Sequence, residues 1–436
     1  MIRGGGRVPA GGMRRRVHFG GAWKTKWRIS RVLEGRVIVC IASSWDYDPT
    51  SKHHIMKLLS RSNDVVWVNY HGTRRPRLTP ADLRAALRTA FNVLRGTRRV
   101  SDSFVQITPL VIPGASNGLL RRVHEKLVAS QIRRAVAAVD PGGARPVQVW
   151  SFAPDVPHLV GELAEECFVY YCVDEHTQFA GVNAERIAEA EDQLTRRADL
   201  VITSSKPLFD SRRTIRPDAV LMRHGVDFDH FASAWRRELP VPEDLAAIPA
   251  PRLGFFGVLH YWIDVNLIAA VAGLRPDYSF VLIGEKLADV SVLEQLPNVF
   301  LLGRRPNAVL PAYCAHFCAG LMPFKQTALT HYINPIKMAE YLAAGLPAVS
   351  TPVPEARRYD GPVTIAETAE AFAAACDKCV SSDRPERREE ISGVVRNDSW
   401  LSRVERLSDL IEERVLRHEP PSVVGEPARR SCAGVL

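Results

Sequence analysis

From residue 37 onward the chain alternates short, nearly unbroken apolar runs with longer stretches whose apolar positions recur at helical spacing. The first half carries VIVCIAS (37–43), VVWVNY (65–70), FVQITPLVI (104–112), VQVWSF (147–152), CFVYYCV (167–173) and LVITSS (200–205). The second half carries RLGFFG (252–257), YSFVLIG (278–284), VFLLG (299–303), AGLMPF (319–324) and LPAVST (346–351). Strands that are apolar at consecutive positions bury both faces, as in parallel sheets whose helical crossovers cover each side. The pattern therefore predicts an α/β chain with two doubly wound, Rossmann-like domains. RHGVDFDHF (223–231) closes the first set, and the Pro-rich ELPVPEDLAAIPAP (238–251) reads as the linker to the second. The expected layout is a leader over 1–34, a first domain over 35–235 and a second over 236–397. A helix over 398–416 and a tail over 417–436 complete it. Trp400, Val404, Leu407, Ile411 and Val415 share one face of that last helix, with Ser399 as its cap, so it should pack on a neighbouring domain. Ligands of such sheets bind beyond the carboxyl ends of the strands, which places the active site in the cleft between the two.

One stretch carries a charge that local physics disfavours. In NPIKMAEYLAAGLPAVST (334–351), Asn334 suits a helix cap, Pro335 and Ile336 its first turn, and Gly345 its stop, with a buried strand following. Lys337 then lies at the positive end of the helix macrodipole, where a cation is unfavourable. A bound anion reverses that sign, because helix N-termini offer free N–H groups to phosphate. Glu340, one turn inward, can accept from two adjacent hydroxyls such as a ribose diol. A lysine for phosphate and a carboxylate for ribose together describe a site for a nucleoside diphosphate. The competing reading is a surface pair between Lys337 and Glu340, worth a few tenths of a kcal/mol.

Composition narrows the class. A chain of 436 residues exceeds one ordinary core, and 46% hydrophobic with 24% charged residues describes a globular protein. No apolar run approaches the roughly 18 residues of a membrane span, and no secretory h-region follows the N-terminus, so a cytoplasmic location is expected. The net charge of +9 comes from residues 1–33, which hold nine Lys or Arg and no acid. The remainder is balanced, so nucleic acid is not an expected partner. Eight scattered cysteines suit reduced thiols. Cys376 and Cys379 have redox or zinc spacing but follow an Ala-rich helical run. Cys314, His316 and Cys318 run into a strand, and both groups read as ordinary core residues.

The longest quoted motifs identify a family. PFKQTALTHYINPIKMAEYLAAGLPAVST (323–351) resembles the donor signature of GT-B-fold glycosyltransferases of retaining family four, the glycosyl transferases group one. It is most similar to the bacterial exopolysaccharide and teichuronic-acid branch. RHGVDFDHF, RLGFFGVLHYWID (252–264) and LPNVFLLGRRP (296–306) resemble further motifs in the family's order. The resemblance implies a GT-B fold, transfer from a UDP- or GDP-sugar to a glycan or lipid-linked acceptor with retention, and no metal or other cofactor. Glu340 would hold the ribose, N–H groups near Gly257 and Asn334 to Lys337 the diphosphate, and Arg304 would lie near the base. The family's first acid falls at Tyr332, and its usual Arg and Lys are replaced by Val258, Leu259 and His260. Lys337, with Lys325 or His260 assisting, would supply the missing charge. After the strand 167–173, Asp174 and His176 are candidates for touching the transferred sugar or deprotonating the acceptor. Asp46, Asp48 and His53 are weaker ones. A sugar-nucleotide epimerase, or a non-catalytic assembly partner, could share the architecture.

TPADLRAALRTAFNVLRGTRR (79–99) is a basic amphipathic helix in the sequence, with Leu83, Leu87, Ala90, Phe91 and Leu94 on one face and Arg84, Arg88 and Arg95 elsewhere. It suits either peripheral contact with an anionic membrane or a core position with solvated arginines. The leader's composition supports no core, so deleting residues 1–33 is expected to leave the melting temperature and donor turnover unchanged. A lowered melting temperature in the truncated protein refutes that expectation.

Overall fold

The computed structural model describes residues 32–46, 49–70, 96–111 and 118–417, together with Phe91 and Val93. The leader over 1–31, Asp48, most of the 79–99 stretch and residues from 418 onward lie outside the described residues. So do Arg84, Arg88 and Arg95.

The first sheet holds β1 (Val37–Ala42), β2 (Asp64–Asn69), β3 (Arg98–Ser101), β4 (Phe104–Ile107), β5 (Val147–Ser151), β6 (Cys167–Cys172), β7 (Leu200–Thr203) and β8 (Val220–Leu221). The second holds β9 (Arg252–Phe256), β10 (Ser279–Ile283), β11 (Val299–Leu301), β12 (Ala319–Met322), β13 (Ala348–Ser350) and β14 (Val363–Ile365). Strand order is β3-β4-β2-β1-β5-β6-β7-β8 in one and β11-β10-β9-β12-β13-β14 in the other. Every named pairing is parallel except that of β3 with β4.

Burial shows why the runs are apolar at every position. In β1, Val37, Val39 and Ile41 enter one core cluster while Ile38, Cys40 and Ala42 enter the other, and none is more than 1% exposed. The helix Trp400–Arg417 supplies Trp400, Val404, Leu407 and Ile411 to the second cluster, so the chain returns to the first sheet after completing the second. Ser399 caps it, accepting from Ser402 N–H at 3.1 Å. Its entry is pinned to the motif at 223–231, where Val226 N–H donates to Asp398 O at 2.8 Å. Gly225 is required there, because a β-carbon would stand 2.7 Å from Trp400 N.

Some expectations need correction. Residues 98–101 form an exposed edge strand, not the end of a helix: they pair antiparallel with β4 instead of continuing the apolar periodicity. Residues 108–111 leave the sheet after Ile107. The two- and three-residue strands β8 and β14 were too short to show a pattern. Cys376 and Cys379 are buried on the helix Ala369–Ser381, and Cys314 is buried, as core thiols.

A polar seam joins the two halves. Glu355, only 3% exposed, comes from the second half and accepts from Lys206 N–H at 2.6 Å and Arg223 Nε at 2.6 Å, both in the first. Ser205 Oγ donates to Tyr332 O at 2.6 Å, and Asn334 Nδ2 donates to Ser204 O at 2.8 Å. Glu355→Ala would leave a guanidinium and an N–H without their acceptor, costing about 3 kcal/mol. The expected result is a lower denaturation midpoint, with Glu355→Gln intermediate because it keeps one acceptor oxygen. A midpoint equal to wild type for Glu355→Ala would show that the seam adds nothing to stability.

Candidate functional site

The second half of the site is built around the helix Ile336–Ala343. Pro335 is its N-cap, and Asn334 lies one residue before, where its amide reaches Ser204 O. The expected Asn334 cap is therefore incorrect: the side chain is drawn away by a carbonyl of the first half. Ile336 and Lys337 occupy the first two helical positions, whose N–H groups have no preceding carbonyl to bond. The stop is as expected. Gly345 has φ +73°, its N–H donates to Leu342 O at 2.9 Å, and Leu346 N–H donates to Tyr341 O at 2.9 Å.

Tyr341 locks this helix to the end of β9. Its hydroxyl, fully buried, accepts from Phe256 N–H at 3.1 Å, one residue before Gly257. Gly257 has φ +137°, and a β-carbon there would meet Lys337 Cε at 2.0 Å and Nζ at 2.8 Å. The Lys337 stem thus lies across the glycine turn, and only glycine fits beneath it. Gly284, at the end of β10, is equally confined: a β-carbon would stand 1.8 Å from Gly257 O. Gly257 N–H donates to Ile283 O at 2.8 Å, so this N–H is not free for a phosphate as expected.

Lys337 and Glu340 make no ion pair within 4.0 Å, and no described residue hydrogen-bonds the Glu340 carboxylate. The surface-pair reading does not describe this geometry. Burial pushes the Glu340 carboxyl up to about 7, the Lys337 ammonium draws it down, and Asp227 raises it further. A carboxylate stripped of water and left without donors is costly until a ligand supplies them. Part of Glu340 still reaches the surface, so a ligand can do so.

The other expected residues scatter around this core. Arg304 is exposed in the loop after β11, beyond Gly303. Lys325 follows β12, its N–H donating to Trp262 O at 2.9 Å. His260 stacks on Trp262 with centroids 3.8 Å apart, and its Nδ1 accepts from Tyr261 N–H at 2.9 Å. Burial lowers its pKa, so at neutral pH it adds no second cation, contrary to expectation. Tyr332, at the position of the family's first acid, packs against the first sheet's core.

The first half contributes Asp174 and His176, which lie just beyond β6, as the sequence predicted. Burial raises the Asp174 pKa and the Lys52 ammonium opposes the rise. Burial pushes His176 down to about 4, and its Nδ1 is buried without a partner, so the ring is neutral. The turn is held from below by an ionic network. Arg212 Nη2 reaches Glu175 at 2.8 Å and Glu191 at 3.0 Å, and the Tyr170 hydroxyl donates to Glu191 at 2.5 Å. Asp46 pairs with Arg98 at 3.2 Å on the exposed edge, and His53 Nδ1 accepts from Thr50 N–H at 3.1 Å, so neither faces the reacting centre freely.

Lys52 escaped the sequence reading, although the signal that marked Lys337 marks it too. It occupies the second position of the helix Ser51–Leu59, the first helix after β1. Burial lowers its pKa, with Asp174 raising it, yet no described carboxylate lies within 4.0 Å. His54 stacks on Trp400 at 5.0 Å with an interplanar angle of 3°, and Asp227 acts on both His54 and Glu340. The segments after β1 and β6 are thus linked electrostatically through Lys52 and Asp174, and those after β1 and β8 to Glu340 through Asp227.

Residues 250–382 match the Glycosyl transferases group 1 family. The chain is similar to the putative teichuronic acid biosynthesis glycosyltransferase TuaH of Bacillus subtilis (strain 168), at 27% identity over 274 residues, covering 58% of this chain and 68% of the relative. Among solved structures it is similar to Anabaena Alr3699/HepE in complex with UDP, with TM-score 0.61, 12% identity and coverage of 87% and 100% of the two chains. It is also similar to the sucrose-phosphate synthase of Thermosynechococcus elongatus, with TM-score 0.62, 13% identity and coverage of 88% and 100%.

The Glu340 carboxyl gives a signed pH prediction. Its folded pKa of about 7 stands above the ordinary glutamate value of 4.5, so ionisation opposes folding as pH rises from 4.5 through 7. Glu340→Gln should therefore raise the melting temperature at pH 8 and leave it unchanged at pH 4. Equal effects at both pH values would show that the carboxylate is ordinarily solvated.

Proposed function

We propose that this chain, whose residues 250–382 match the Glycosyl transferases group 1 family and whose fold is GT-B, moves a sugar from a nucleoside diphosphate donor onto a glycan or lipid-linked acceptor in cell-surface polysaccharide synthesis. The observation that carries the donor assignment is Lys337 lying across Gly257, unpaired, with the donor-free Glu340 carboxylate one turn inward. UDP is the favoured nucleotide, since HepE is described in complex with UDP and with UDP-glucose. GDP is the competitor that a binding panel separates.

In this reading the Glu340 carboxylate accepts from both ribose hydroxyls, which replaces its lost hydration. The diphosphate lies against the N–H groups of Ile336 and Lys337 and the Lys337 ammonium. As the glycosidic bond breaks, negative charge grows on the leaving phosphate, where these groups stabilise it in place of a divalent ion. Asp174 and the Lys52 ammonium face the same cleft and orient a sugar or acceptor hydroxyl. His176, neutral at pH 7, serves as a hydrogen-bonding group there, not as a proton donor. Retention of anomeric configuration follows the family resemblance. Among the described residues no helix is long and apolar enough to cross a membrane, and we place the reaction on the cytoplasmic side, with the acceptor approached at the membrane surface.

Two substitutions on one helix separate the roles. Glu340→Ala should weaken every ligand that carries the ribose, UMP included. Lys337→Ala should spare UMP and weaken UDP at least tenfold, the loss of a charge-assisted contact worth about 1.5–3 kcal/mol. Turnover should fall further than affinity. Calorimetric titration of UMP and UDP checks both, and unaltered UDP binding by Lys337→Ala removes the lysine from the donor site.

A further inference from the structure

A second concavity opens where the two halves meet, away from Glu340, on the side of Glu355. It has a volume of about 680 Å³ and is lined by Lys206, Arg223, His331, Tyr332, Arg357 and Arg358, with acids only at Asp210 and Glu355. Both sheets build it. Lys206 opens the helix that follows β7 and Arg223 lies just after β8, while the other four named residues lie in the helical turns that follow β12 and β13.

Most of this charge is already committed. Lys206 Nζ meets Asp210 at 2.5 Å, Arg223 meets Glu355 at 2.6 Å and Arg358 meets Asp398 at 2.6 Å. Arg357 and His331 are exposed, and their side chains have no hydrogen bond or ion pair with any described residue. The pocket therefore keeps uncompensated positive charge at its mouth. Its wall includes Tyr332, three residues before the Pro335 cap of the donor helix. An acid at 332 would cancel that charge, and this chain has none.

Building on the donor reading, we propose that this pocket binds an anionic group of the acceptor, a sugar carboxylate or a phosphate, with Arg357 as its principal contact. A planar guanidinium presents paired N–H donors that match the oxygens of either group. The ion pairs around it hold the pocket walls, and Arg357 and His331 remain to meet the ligand. An anion bound here lies beside the segment that leads into the donor helix, so the charge of the acceptor sets its position relative to the donor.

The test uses the full chain saturated with UDP and three probes: a uronic acid disaccharide, the same disaccharide with its carboxyl reduced to a hydroxymethyl, and inorganic diphosphate. At least one of the two anions should bind, weaken as salt is raised, and exceed the neutral disaccharide by tenfold or more. The tighter anion identifies the group as carboxylate or phosphate. Arg357→Glu should reduce that binding at least tenfold, and Arg357→Lys should restore part of it. The idea is overturned if neither anion binds, if the neutral sugar binds equally well, or if Arg357→Glu leaves anion affinity unchanged. UDP binding by the wild type, recorded first, tests the donor reading separately: a chain that fails to bind UDP sinks that reading, whatever the anions do.

Discussion

The carboxylate of Glu355, sealed from water at 3% exposure, accepts one backbone N–H and one guanidinium N–H from the other half of the molecule, and the cleft depends on it. A buried acceptor of this kind tolerates little displacement, because each lost donor leaves a desolvated charge. Ser205 and Asn334 add two further bonds across the same seam. Tyr332 and Asn334, the second-half members of these bonds, lie just before the helix Ile336–Ala343. The position of Lys337 and Glu340 relative to the first sheet is thus set by the same contacts that hold the halves together.

Within the second half the constraint is steric. Phe256 N–H, instead of pairing in the sheet alone, donates to the Tyr341 hydroxyl, and this fixes how far the helix stands from β9. Gly257 then has a lysine stem across it, and Gly284 has the Gly257 carbonyl across it. Side chains at either position would push the lysine and the turn apart. The site keeps an unpaired ammonium and a poorly solvated carboxylate close together without letting them neutralise one another. That arrangement is unfavourable in isolation, and a ligand carrying both phosphate and vicinal hydroxyls, as proposed, would relieve it.

On the opposite wall, the Arg212–Glu175–Glu191 network supports the turn that presents Asp174 and His176. The two walls have different characters. The second half offers a cation and N–H groups, while the first offers a carboxylate with a distant lysine and a neutral histidine. An anionic leaving group and a hydroxyl-bearing sugar partner suit these two walls respectively.

Much of this was legible in the residues. Apolar runs at consecutive positions are forced by two-sided burial, so the strands other than β3, β8 and β14, the two sheets and the helix beginning at Trp400 could be read directly from the periodicity. Lys337 and Glu340 could be read because a first-turn lysine contradicts the local dipole, a conflict visible without neighbours. Lys52 carried the same signal and was passed over in a loop rich in other polar residues. What the chain order could not state is who faces whom. Asn334 has the chemistry of a cap, but the Ser204 carbonyl 130 positions earlier competes for its amide and wins. His260 has the chemistry of a cation, but burial lowers its pKa and disfavours the charged ring. Glu355 looks like any helix-flanking acid until Arg223 and the Lys206 N–H are brought to it. Local propensities and periodicity act over a few residues and are written in the sequence. Charge state, hydrogen-bond partner and the meeting of two sheets depend on water excluded by distant segments, and only the tertiary structure decides them.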